Sequence, residues 1–140
     1  MIHELADPAE ATAEELHDRY RDILVEIINE QGIATAAESA DLEEGRLRGL
    51  LAGDDTELTL EEAAAILALD AEHPDSDTIA VLARDALLMG MTTAVLDVEA
   101  VESRIGGELE AREIQSKVEG RCPMTLREFA LLYSHIGGER

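Results

Sequence analysis

Two stretches of this 140-residue chain repeat one another, and the repeat constrains its architecture more than any single motif does. Leu42-Glu43 through Gly53 aligns with Leu109-Glu110 through Gly120 at an offset of 67, placing Leu47 on Ile114, Leu51 on Val118 and Gly53 on Gly120. Beyond the glycine the offset becomes 66, and Leu58-Thr59-Leu60-Glu61-Glu62-Ala63-Ala64 falls on Met124-Thr125-Leu126-Arg127-Glu128-Phe129-Ala130. Each copy therefore reads as a helix, a glycine stop, a short loop, and a Thr-x-x-Glu capping box opening the next helix. A unit that repeats in this way buries its apolar side against its neighbour, so the copies are expected to share a core.

The rest of the chain follows the same helical code. Thr12-Ala13-Glu14-Glu15 is a further capping box, followed by an apolar stripe of Leu16, Tyr20, Ile23, Leu24, Ile27 and Ile28 that ends at Gly32. Short helices are expected over about 34–40, 43–51 and 59–69. After the break His73-Pro74-Asp75-Ser76, a long helix is expected over about 78–96, with Ile79, Leu82, Ala83, Ala86, Leu87, Gly90, Met91, Ala94 and Val95 on one stripe. Asp97 is a cap for a helix over 98–105, stopped at Gly106-Gly107, and helices over 110–119 and from Thr125 onward complete the pattern. No segment alternates with a period of two. The expected fold is all-α, with two tandem four-helix units sharing a core: residues 1–12 a flexible N-terminus, 13–72 the first unit and 73–140 the second.

Composition narrows the setting. Acidic residues number 32 against 11 basic ones, for a formal charge of −21, yet 46% of the chain is apolar. Disorder requires low hydrophobicity, which this chain lacks. A folded, evenly acidic protein is instead what adaptation to high salt produces, because at molar salt the Debye length falls to about 3 Å and neighbouring carboxylates repel little. The single cysteine, Cys122, excludes an internal disulfide. With no basic start or apolar stretch at Met1-Ile2-His3-Glu4-Leu5, the expected location is the cytoplasm, without membrane attachment. The most apolar run, Ala86 to Leu96, is far shorter than the ~20 residues of a membrane span, and is expected to be a buried helix with Met89 and Met91 as core filling.

The repeated unit resembles the helix-turn-helix superfamily of the λ-repressor and Cro type. On that resemblance Ala34 to Leu42 supplies the supporting helix and turn, Glu43 to Leu51 the recognition helix, and Gly53 the stop, with Thr59 opening the next helix. The second copy, Val98 to Ile136, is similar, with about two more residues in its turn. The whole chain also resembles a haloarchaeal family of small acidic proteins of uncharacterised function. The superfamily resemblance implies DNA binding: base-edge contacts from the start of a recognition helix, and phosphate contacts from nearby cations. By position the base-facing residues are Glu44, Gly45 and Arg48 in the first copy, and Ala111, Arg112 and Gln115 in the second. Glu43 and Glu44 oppose phosphate in the first copy and suit a helix N-terminus, so contact is expected mainly through the second. Arg112 and Gln115 are side chains that can pair twice with guanine and adenine. Ser116, Lys117, Arg121 and Arg127 flank them, and Arg48 is the first copy's contribution. The alternative for these cations is ordinary pairing with neighbouring acids, Arg112 with Glu108 or Glu119 among them. The helix expected over 78–96 spans about 28 Å, against about 34 Å between adjacent half-sites, so one chain is long enough to act as its own pseudo-dimer.

Two functions follow: a DNA-binding, transcription-regulator-like protein, or a helical adaptor whose apolar faces hold a protein partner or a second copy of itself. No catalytic constellation is present, and no cofactor is implied. His3, His17, His73 and His135 are scattered, and Cys122 with His135 lacks a second ligand pair for zinc. Asp54-Asp55 and Asp75-Ser76-Asp77 suit turns and helix caps, and Gly106-Gly107 lacks the Lys-Ser/Thr of a phosphate loop.

Overall fold

The computed structural model describes residues 12–54, 57–70 and 75–136. Among them lie eight helices and no strand: α1 (Ala13–Gln31), α2 (Ile33–Ala40), α3 (Glu44–Leu51), α4 (Leu60–Leu67), α5 (Ser76–Thr93), α6 (Val98–Arg104), α7 (Ala111–Val118) and α8 (Leu126–Ile136). The fold is all-α. The repeat reappears in the element boundaries: α3 and α7 start and stop 67 residues apart, and α4 and α8 start 66 apart. The turn between α2 and α3 covers residues 41–43 and the one between α6 and α7 covers 105–110, so the second copy has three more residues there.

Local chemistry sets the helix ends. Thr12, Thr59 and Thr125 each accept the backbone N–H of a glutamate three residues on, whose carboxylate accepts the threonine's own N–H. Thr12 is thus the cap of α1 and not part of a separate tail; residues 1–11, with His3, lie outside the described residues, as do Asp55 and His73. Helices α3, α6 and α7 end alike, in a turn where a left-handed residue lets the next N–H reach back five positions. Gly53, Gly106 and Gly120 occupy those positions at φ of 82°, 70° and 82°, and Asp54, Gly107 and Arg121 donate to the carbonyls of Gly49, Glu102 and Ser116. Helix α2 uses Asp41 in the same role, and α5 uses Val95 at φ 56°, with Leu96 donating to the carbonyl of Met91 at 2.8 Å.

The two copies meet at their equivalent threonines. Leu60 donates its N–H to the Met124 carbonyl at 2.6 Å and Leu126 donates to the Leu58 carbonyl at 2.7 Å, forming an antiparallel bridge centred on Thr59 and Thr125. Each bond is the other's image under the repeat, which is what pseudo-twofold packing of the copies requires. Around this junction Leu58, Leu60, Met124 and Leu126 are buried, and one continuous core runs from Leu16 to Ile136. The most extensive helix contact joins α1 to α8, the first helix to the last, followed by α4 with α5 across the boundary between the copies. Phe129 lies at the centre of the α1–α8 contact, with its ring centroid 6.1 Å from Tyr20 and 5.4 Å from Tyr133. The Tyr20 hydroxyl is buried without a hydrogen-bond partner, and burial pushes its pKa upward.

A cation holds each of the two inner capping glutamates. Arg46 grips Glu62 with both terminal nitrogens and also donates to the Glu57 carbonyl at 2.6 Å. Lys117 pairs with Glu128. Arg84 of α5 joins the copies, donating to the Lys117 carbonyl at 2.9 Å and pairing with Glu61 at 2.6 Å. Burial alone would raise the Glu62 pKa; the Arg46 guanidinium and the Thr59 N–H and hydroxyl outweigh it and hold the carboxyl below its ordinary 4.5. A group depressed in the folded state stabilises above its unfolded pKa, and that contribution is lost as pH falls through the folded value. Melting followed in molar KCl from pH 7 down to pH 3 should therefore show Glu62→Gln less stable than the wild type at pH 7, with the gap closing below about pH 4.5. A constant gap across that range would contradict the assignment.

Candidate interaction surfaces

The second copy's proposed reading helix, α7, buries Ile114 and Val118, and this turns Arg112 and Gln115 outward to solvent. Its cations do not form a basic face. Lys117 stands at the repeat position of Leu50, which is buried in α3, and its side chain is only 15% exposed, held against Glu128. It is a structural ion pair, not an exposed phosphate contact. Arg121 pairs with Glu119 at 2.7 Å, and Gln115 donates to the other oxygen of the same carboxylate at 3.3 Å. Arg112 is exposed, and Glu119, one of the two acids expected beside it, is occupied by these neighbours. Ser116 is half-buried, its carbonyl accepting the N–H groups of Arg121 and Cys122. Arg127, exposed on α8, and Arg48, exposed on α3, lie on other helices. From Glu108 to Arg121, four carboxylates (Glu108, Glu110, Glu113, Glu119) stand against three cations, one of them half-hidden. The field over α7 is mixed rather than positive.

The apolar surface lies elsewhere. Val81, Leu88, Met89 and Val95 are the large apolar side chains that face solvent among the described residues, and all four belong to α5 or the turn that ends it. The inner side of α5 is Ile79, Ala80, Ala83, Leu87 and Met91, which pack into the core. On the opposite side Val81, Asp85, Leu88, Met89 and Thr92 follow at spacings of three and four residues, forming a second stripe. Three expectations are corrected here. The apolar run from Ala86 to Leu96 is not wholly buried, because it is apolar on both sides and only one side meets the core. Met89, expected to fill the core, is 70% exposed, while Met91 is inside. Val95, expected to continue the inner stripe, lies beyond the end of the helix at Thr93 and is 89% exposed.

Val95 is unusual in a further respect. Its position in the terminating turn calls for glycine, and a branched side chain in the left-handed region costs about 1–2 kcal/mol. The chain places glycine at the equivalent points of α3, α6 and α7, and at α2 an aspartate, a short polar residue that tolerates this region, so among these helix ends α5 alone carries a branched side chain. Beside it two hollows open. One, of about 310 Å³, is lined by Leu88, Met91, Val98 and Val118 together with Asp97, Gln115 and Glu119; the other is formed by Met91, Thr92, Val95, Leu96 and Asp97. Cys122, on the opposite loop, is exposed. No single helix among the described residues is long and apolar enough to cross a membrane.

These features define an all-helical protein with an internal sequence repeat and, among the described residues, one solvent-facing apolar helix side. The chain belongs to DUF5791, a family of unknown function, which it matches over residues 16–139. No curated protein and no solved structure matches it.

Proposed function

We propose that this chain is a helical interaction protein that docks a protein partner on the outer side of α5. The observation that carries this reading is the gathering of Val81, Leu88, Met89 and Val95 on one helix and the turn that ends it, while the other large apolar groups among the described residues are covered. Contiguous exposed apolar surface of several hundred Å² marks interaction sites in soluble proteins. The strained Val95 supports it, since a glycine there would relieve the backbone but remove the projecting side chain. Glutamate at Met89 tests the reading, because that side chain points into solvent and the change leaves the core intact. Tagged wild-type protein recovered from its native cells in molar salt is expected to carry bound protein that the Met89→Glu variant loses. Equal recovery with both would remove α5 from the interaction.

A second reading, DNA binding through α7, draws on the outward placement of Arg112 and Gln115. The carboxylates around them work against phosphate approach. It is tested by duplex binding in molar KCl: a drop of roughly tenfold or more in affinity for an Arg112→Ala, Gln115→Ala variant supports it, at about 1–3 kcal/mol per lost bidentate pair.

A further inference from the structure

We infer that the partner on α5 is a second copy of this chain, the two α5 helices crossing antiparallel about a twofold axis between Leu88 and Met89. This rests on the reading of α5 as a docking side and adds to it the identity of the occupant.

The layout of the stripe is self-complementary. Reversed about the midpoint of Leu88 and Met89, Leu88 faces the partner's Met89, Asp85 faces the partner's Thr92, and Val81 falls opposite the partner's Val95 and Leu96. An interface between identical copies needs this property, since the same patch serves both sides. The one carboxylate on the stripe meets a hydroxyl and not another carboxylate. The Thr92 hydroxyl, which donates to the Leu88 carbonyl at 3.0 Å, is positioned to turn toward it.

Charge selects the same place. Each copy carries −21, so two copies approach most readily where neither presents carboxylates. The segment from Ala86 to Leu96 has no ionisable side chain and covers the C-terminal part of α5 and the turn that ends it. Shape agrees as well. The hollow of about 310 Å³ beside Leu88 opens next to the position that the partner's Met89 takes in this arrangement, and methionine, unbranched and flexible, suits an irregular apolar gap. The four exposed apolar chains present on the order of 400 Å², about half of the ~800 Å² that each side of a standard interface buries, and the walls of the two hollows extend it. Val95, which projects from the end of the stripe, then has a use that offsets its backbone strain.

The test is sedimentation equilibrium in molar KCl at micromolar protein, with thermal melting alongside. The wild type is expected to be a dimer, and Met89→Glu a folded monomer. Val95→Gly is the discriminating variant: it should melt higher as an isolated subunit, because it relaxes a left-handed valine, yet dimerise about tenfold more weakly, a loss of about 1.4 kcal/mol. A purely structural role for Val95 would raise stability and leave association unchanged. In a Cys122→Ser background, Asp85→Cys with Thr92→Cys should give a covalent dimer on oxidation, whereas Asp85→Cys alone should not. A monomeric wild type at 100-fold higher concentration, or dimers that survive both Met89→Glu and Val95→Gly, overturns the inference. If the wild type is monomeric but still captures another protein in a Met89-dependent manner, the second copy is excluded and the docking role of α5 stands.

Discussion

Replacing Phe129 by alanine is expected to remove about 3–5 kcal/mol of stability, the range for truncating a buried aromatic ring. The size follows from position. Phe129 is fully buried, lies between Tyr20 and Tyr133, and sits at the middle of the α1–α8 contact that ties the start of the described chain to its end. Its repeat counterpart is Ala63, so the ring fills space that the first copy leaves to a methyl group. Domains of this kind hold roughly 5–15 kcal/mol in total, and the variant would be left with a marginal fold. Urea unfolding followed by circular dichroism in molar KCl gives the measurement. A loss under 1 kcal/mol would mean that α1 and α8 do not pack as described. Phe129→Leu, which restores most of the volume, should recover about half of the deficit.

Transfer from molar KCl to dilute buffer is expected to lower the melting temperature by roughly 10 °C or more, at about 3–5 °C per kcal/mol for a chain of this length. At about 10 mM salt the Debye length reaches ~30 Å, so every carboxylate feels all the others across the molecule; at 1 M it is ~3 Å and each feels only its neighbours. Folding concentrates a charge of −21 into a small volume, and unfolding relieves the repulsion. Sucrose, which strengthens burial without screening charge, separates the two causes: it should restore only part of what KCl restores. A melting temperature independent of KCl would show that the acidic surface is already compensated in the folded state.

The parts of this fold governed by local chemistry were readable from the sequence. Thr-x-x-Glu boxes, glycine stops and a period of 3.6 act over four or five residues, and the eight helices fall close to where those signals put them. The sidedness of α5 was not readable. In a run such as Ala86 to Leu96 both sides are apolar, so periodicity cannot tell which one the core takes, and from sequence alone Met89 and Val95 read as inward-facing. Nor was the fate of the cations. Lys117 reads as a surface charge beside Arg112 and Gln115, and only the packing of α7 against α8 turns it toward Glu128. Its place in the repeat, opposite the buried Leu50, was the available sign. Arg46 and Arg84 gave no local signal, because their partners lie 11 to 33 residues away.

The pairing of α1 with α8 bears on how the molecule is made. During synthesis the greasy flank of the first helix emerges long before residues 126–136; α2, α3 and α4 cover part of it, but its most extensive partner comes last. The nascent polypeptide must keep the side of α1 that carries Tyr20, which meets Phe129 of α8, from sticking to other molecules until α8 has been made. Its dense coat of like charges, distributed along the whole length, is suited to that waiting period, repelling neighbouring unfinished chains while the last partner is still inside the ribosome.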